Sequence, residues 1–454
     1  MGGFCVKIFK NGTVVLGDGK KVMEKANVIV VGDLIADVNL SYDASIEAYA
    51  DEVIDCTGKC VLPGMINHHQ HGVTFGPMFA SGCVNYGRDV IMDHLDRSLL
   101  QGHTTVLNVD GFVTMDEVEE TQKCHPIRIK TATTHAPINY HAGELCDGKG
   151  FLPKHKEMTV EKMLADGAVC IGEVGGGHTL GGGGQDYLYI PRAVKERKGK
   201  DIDYLQARAM KLSVLGRYIE ESYYDRDRVA QALKDAKLDS FLTPEETRDI
   251  VYKTTLASVK VALDGYREAA GLAKRYNVPL MIHNAPTSKY IVHEIAKMGL
   301  STLICCHSNY LFTTDECVEN GRYLKQFPGV ILDAAVHDPW GAKHLVATPD
   351  NLYAFYENDL IDIISTDFAA GHSDSMLEAI QHASIEKKLV GLAKAVYQGT
   401  GRVAEVLPLL APNLGLIKKG YTADIVVAEY PDVKNVERVY IGGKLAAKDG
   451  KVIR

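Results

Sequence analysis

A His-x-His pair, His69 and His71, closes the apolar run Val61-Leu62-Pro63-Gly64-Met65-Ile66-Asn67. Strand residues two apart point to the same side, so both imidazoles leave the strand end together. Two neutral nitrogen donors on one face suit a divalent metal ion. On its own the pair is common. Further chemistry-bearing residues end short apolar runs elsewhere: Glu173 in Gly172-Glu173-Val174-Gly175, His283 in Met281-Ile282-His283, His307 in Cys306-His307-Ser308 and Asp367 in Ser365-Thr366-Asp367.

Such side chains need a scaffold that gathers strand ends. Between the two ends of the chain, short apolar strands alternate with helix-like segments, the pattern of parallel βαβ units. Eight candidate strands end near His69, Asp110, His135, Glu173, His283, His307, Val336 and Asp367. The expected fold is α/β, a (β/α)8 TIM barrel whose chemistry lies at the C-terminal strand ends. Residues 1–60 and 404–454 read instead as short strands and turns, and are expected to build one small β-sandwich domain from both termini. The barrel is assigned to 61–403. Glu173 and His283 stand 110 residues apart, whereas one strand-helix-strand step needs roughly 30. The excess predicts a charged helical insertion at about 180–255, acting as a lid over the barrel mouth or as a subunit contact.

Size and charge narrow the chemistry. The chain has 454 residues and a formal net charge of -8, without long blocks of one sign, so nothing marks a nucleic-acid or anionic-membrane surface. No apolar run approaches membrane-spanning length. A small-molecule substrate, a cytoplasmic location and a homo-oligomer are expected. The 10 cysteines include no CxxC, which argues against a thiolate zinc site and for reduced thiols. Gly181-Gly182-Gly183-Gly184 is followed by no Lys-Ser or Lys-Thr and reads as a hinge rather than a phosphate cradle. No serine stands in a Gly-x-Ser-x-Gly setting.

Taken in order, these motifs resemble the amidohydrolase superfamily of metal-dependent hydrolases. The segment Leu414-Gly415-Leu416-Ile417-Lys418-Lys419-Gly420-Tyr421-Thr422-Ala423-Asp424 resembles that family's entry to its last strands. The resemblance implies two divalent metal ions, zinc or else iron, manganese or cobalt. His69 and His71 would hold the buried ion, His283 and His307 the exposed one, and Asp367 the buried ion with the attacking water. The fourth strand, Ala168-Val169-Cys170-Ile171-Gly172-Glu173, has no lysine, which leaves Glu173 as the bridging ligand. Asn67 stands where the family usually has Asp. The Gly-Glu-Val-Gly strand is most similar to the enamidase-like branch. That similarity implies hydrolysis of a cyclic amide or lactam C–N bond by a metal-bridging hydroxide, with Asp367 as general acid/base. The alternatives are a mononuclear aminohydrolase that deaminates a heterocycle and an esterase or lactonase.

Further candidates come from position alone. His135, at the third strand end, is a candidate to contact substrate or stabilise an oxyanion. His178, His337, Trp340 and His372 follow strand ends and are candidate substrate contacts.

Overall fold

The computed structural model describes residues 5–336, 349–368 and 374–453. Eight parallel strands form its centre: β1 (Met65–Gln70), β2 (His103–Asn108), β3 (Arg128–Thr131), β4 (Ile171–Val174), β5 (Leu280–His283), β6 (Leu303–Cys306), β7 (Val330–Ala335) and β8 (Ile363–Ser365). Every residue of β1, β2, β4, β5 and β6 is buried, as expected of strands with helices outside and packed side chains inside. The strands pair as an arc of three and an arc of five. Parallel bridges Thr133↔Ile171 and Gln70↔Phe368 join the arcs at both seams and close the barrel.

Strand alternation sorts the side chains of β5. Leu280 and Ile282 face outward onto Ala269, Ala270 and Ala273 of the helix Ala257–Tyr276, while Met281 faces an inner layer with Ile66, Leu107, Cys170, Ile304, Cys306 and Ile363. Val403, Leu407, Leu410 and Leu414 pack on the same cluster. The barrel interior is therefore filled, and a ligand meets the strands at their C-terminal ends.

Strands from both ends of the chain form one nine-stranded mixed sheet. Its two halves meet where Ile425–Glu429 pairs antiparallel with Lys59–Pro63, and its apolar face, including Phe9, Val28, Ile35, Val61, Ile425 and Tyr440, forms a separate core. The expected sandwich thus takes the form of a single sheet wrapped on its own core. Pro63-Gly64 carries the chain from this sheet into β1. The Gly64 amide donates to the Asp424 carbonyl at 2.9 Å, and a Cβ on Gly64 would stand 2.1 Å from Thr104 Oγ1. Only glycine lets the two units approach so closely.

The insertion is helical and has its own core. Helices Ile190–Lys198, Tyr204–Leu215, Arg226–Asp235 and Pro244–Val251 bury Val194, Met210, Val214, Val229, Leu233 and Ile250 against one another. Asp203 caps the second and Thr243 the fourth, each with a reciprocal bond from Gln206 or Glu246, which satisfies amides that the first turn leaves free. Among the described residues, no helix is long and apolar enough to cross a membrane.

Candidate metal centre

The barrel gathers His69, His71, Glu173, His283 and His307 into two clusters that share Glu173. Its two carboxylate oxygens divide the work. Oε2 lies 3.5 Å from His69 Nε2 and 3.6 Å from His71 Nε2. Oε1 lies 3.1 Å from His283 Nδ1 and 2.8 Å from His307 Nε2. One carboxylate therefore stands between two imidazole pairs. Burial pushes the Glu173 carboxyl up, but the neighbouring His69 and His283 outweigh it and hold the group well below its ordinary value.

Asp367 joins from the last strand end, with Oδ1 3.3 Å from His69 Nε2 and 3.7 Å from His71 Nε2. Both Asp367 and His307 adopt left-handed backbone, at φ 47 and φ 37, a conformation that costs free energy away from glycine. Hydrogen bonds hold each in place. The Asp367 amide donates to the His69 carbonyl at 3.1 Å, and the His307 amide to Asp333 Oδ2 at 2.8 Å.

The donor set fits divalent metal ions. Among the described residues, His69 Nε2 is sealed from solvent with no partner in hydrogen-bond geometry, its neighbouring carboxylates standing at 3.3 Å and 3.5 Å, although a buried imidazole nitrogen normally has one. It points into a cluster of nitrogen and carboxylate donors, the ligand types favoured by zinc and its neighbours.

Outer partners aim the donors. His71 Nδ1 lies 2.9 Å from Asp110 Oδ1, leaving Nε2 to face Glu173, and Asp110 is fixed by the amides of Gly72 and Phe79. Asp333 on β7 holds the end of β6 through the His307 amide and ties to β8 through the Ser365 hydroxyl. Asn67 ties the first strand to the last: Nδ2 donates to Thr366 Oγ1 at 2.7 Å, and Oδ1 accepts from the Thr366 amide at 3.2 Å. Tyr266 donates to the His283 carbonyl at 2.7 Å. Sequence reasoning gave Asp110 and Asp333 no role. The position of Asp110 at a strand end was the one available signal, and Asp333 inside a strand offered none.

A cavity of ≈ 630 Å³ opens above the donors, with His71, Glu173, His283 and Asp367 in its wall. The insertion and the glycine-rich segment before it supply much of the remaining wall, including Leu180, Tyr187, Leu188, Leu212 and Ile219. This is the geometry of a cover over the site. His178 also lines it. His135 does not stand in that wall: it is buried, its Nδ1 is 3.0 Å from Thr133 Oγ1, and its ring meets Phe112 edge-on. Burial brings its imidazole down to about 4, so it is neutral near pH 7. His337, Trp340 and His372 lie outside the described residues.

The closed parallel barrel with its terminal-strand sheet is the α/β amidohydrolase fold. A β-aspartyl dipeptidase from Fervidobacterium islandicum AW-1 superposes with a TM-score of 0.59 at 16% identity, over 100% of this chain and 99% of that one. A D-aminoacylase, whose structure was studied for its binuclear metal center, gives 0.56 at 13% identity over 98% and 97%.

No protein-family model matches the chain. Among curated proteins, the 5-methylthioadenosine/S-adenosylhomocysteine deaminase of Bacillus thuringiensis (strain Al Hakam) is 44% identical over 66 residues, 14% of this chain and 15% of that protein. Adenine deaminase 1 of Carboxydothermus hydrogenoformans is 28% identical over 236 residues, 49% of this chain and 33% of its own length. The matched stretches thus span at most a third of these curated relatives.

Proposed function

We propose that this protein is a metal-dependent hydrolase of C–N bonds that uses a binuclear centre, with a cyclic amide or lactam as substrate. The observation that carries the reading is the split of the Glu173 carboxylate, one oxygen toward each histidine pair. His69 and His71 would hold one ion, His283 and His307 the other, and Glu173 would bridge them. Divalent ions in such a site supply Lewis acidity, lowering the pKa of water and polarising a carbonyl. The protein's part is positioning and proton movement. Asp367 stands on the His69–His71 side and faces the cavity, where Oδ1 can accept a proton from the attacking water and return it to the departing nitrogen. The closed lower barrel and the apolar walls limit water to the mouth.

The test is metal content per chain of protein purified without chelator, measured beside Glu173→Ala. About two ions, falling to one or fewer in the variant, is the outcome expected of a carboxylate bridge. One ion, unchanged by the substitution, would remove Glu173 from the metal shell.

Deamination of a heterocycle is the second reading, supported by the two deaminase relatives. Against it, no acidic residue occurs in the five positions after His283. The next acid, Glu294, pairs with Arg267 at 2.9 Å on the surface. Ammonia released without ring opening would decide for this alternative.

A further inference from the structure

His178 is held more firmly than an incidental wall residue. Its carbonyl accepts bonds from Gln185 Nε2 at 2.5 Å and Cys146 Sγ at 3.1 Å, which fix the backbone. On the ring, Nδ1 lies 2.9 Å from Ser81 Oγ and 2.9 Å from Tyr189 Oη. The Tyr189 hydroxyl also donates to Ser81 Oγ at 3.4 Å. A chain running from Tyr189 O–H to Ser81 Oγ, and from Ser81 O–H to Nδ1, satisfies all three groups with Nδ1 bare. The ring proton then sits on Nε2.

The Nε2 edge has no hydrogen-bond partner among the described residues, and His178 lines the cavity. It lies against Gly184, where a Cβ would stand 2.1 Å from His178 Cδ2 and 2.7 Å from Nε2. Gly184 has an ordinary helical φ of -57, so space rather than backbone conformation requires glycine there. This gives one glycine of the run 181–184 a purpose that hinge motion does not. Phe79 separates this edge from the metal donors, its ring 4.3 Å from that of His178 and 5.1 Å from that of His71.

We propose that His178 is a substrate-binding residue, a neutral imidazole whose Nε2–H donates to an acceptor on the substrate about one aromatic ring away from the scissile bond. Ser81 and Tyr189 are its positioning residues, and Gly184 makes room for the ring. The substrate class is accordingly an amide with a second neutral acceptor, a carbonyl oxygen or a ring nitrogen, beyond the bond that is cleaved. Burial, aided by His71, brings the imidazole down to about 3, which keeps it uncharged under working conditions. The identity of the acceptor rests on the hydrolase reading above; the tautomer does not.

The experiment is long-range proton–nitrogen NMR on metal-loaded protein labelled with 15N at histidine, His178 being assigned by its loss in His178→Asn. A protonated Nε2 and bare Nδ1, unchanged between about pH 5 and 8, is expected, and mixed tautomers in the Ser81→Ala, Tyr189→Phe double variant. Added piperazine-2,5-dione, a neutral cyclic amide with a second carbonyl across its ring, should shift the Nε2 resonance in wild type and not in Gly184→Ala. With a hydrolysed amide, His178→Asn should raise KM about tenfold, the scale of one lost hydrogen bond, and leave kcat within about threefold. A bare Nε2, or a resonance unmoved by piperazine-2,5-dione, overturns the proposal. Failure of the hydrolase reading would show separately, as a metal count that ignores Glu173.

Discussion

At the scale of single residues, the site depends on carboxylates doing different work according to what surrounds them. Glu173 is enclosed by imidazoles, whereas Asp367 reaches the cavity wall with one oxygen toward His69. Replacing Asp367 by Asn keeps the shape and removes the proposed proton acceptor. Turnover is expected to fall by about 10²–10⁴ with metal content little changed, as read by steady-state kinetics beside elemental analysis. Asp110 acts one shell further out, through His71 Nδ1 at 2.9 Å. Asp110→Asn should weaken metal binding by about 10–100-fold, measured by competition with a chelator. Near-wild-type affinity would show that the bond does not orient the ring.

At the scale of elements, the donors are fixed by what ties neighbouring strands and helices together. Asn67 joins β1 to the residues after β8 where the barrel closes, so its side-chain amide acts as a clamp between strand ends. The helix Ala257–Tyr276 leans its alanines on β5 and extends Tyr266 to the His283 carbonyl. Tyr266→Phe leaves that carbonyl one donor short and should cost about 1–1.5 kcal/mol of stability, measured by urea unfolding. Weaker metal binding by the His283–His307 pair should accompany it.

At the scale of the whole molecule, barrel, terminal sheet and insertion each pack apolar clusters. Acid sensitivity enters through ties such as Glu117. Burial pushes its carboxyl up, but bonds from His155, Lys154 and the Thr114 amide outweigh this and bring it down to about 2 from its ordinary 4.5. A carboxyl lowered by folding contributes stability above its unfolded value and loses it as pH falls through the folded one. The stability gap between wild type and Glu117→Gln should therefore be constant above about pH 4.5 and close as pH approaches about 2, followed by denaturant midpoints. A gap that persists at pH 2 would place the effect in packing.

Much of this molecule was legible in the order of its residues. Strand and helix periods are local properties, and eight apolar runs alternating with helical segments admit few closed arrangements. His-x-His shows its shared face within three residues, because strand geometry alone sets it. Long-range choices were not legible. Whether an insertion with its own apolar core covers the barrel mouth depends on where that core docks, and the helices carry no local mark of it. His135, at a strand end, and His178, past one, were both candidates for the site, yet one packs on Phe112 and the other lines the cavity. The reach of Asp110 to His71, and of Asp333 to the His307 amide, joins residues of different strands. Sequence spacing determines which way a side chain leaves its own strand; only barrel closure decides which side chains from other strands it meets.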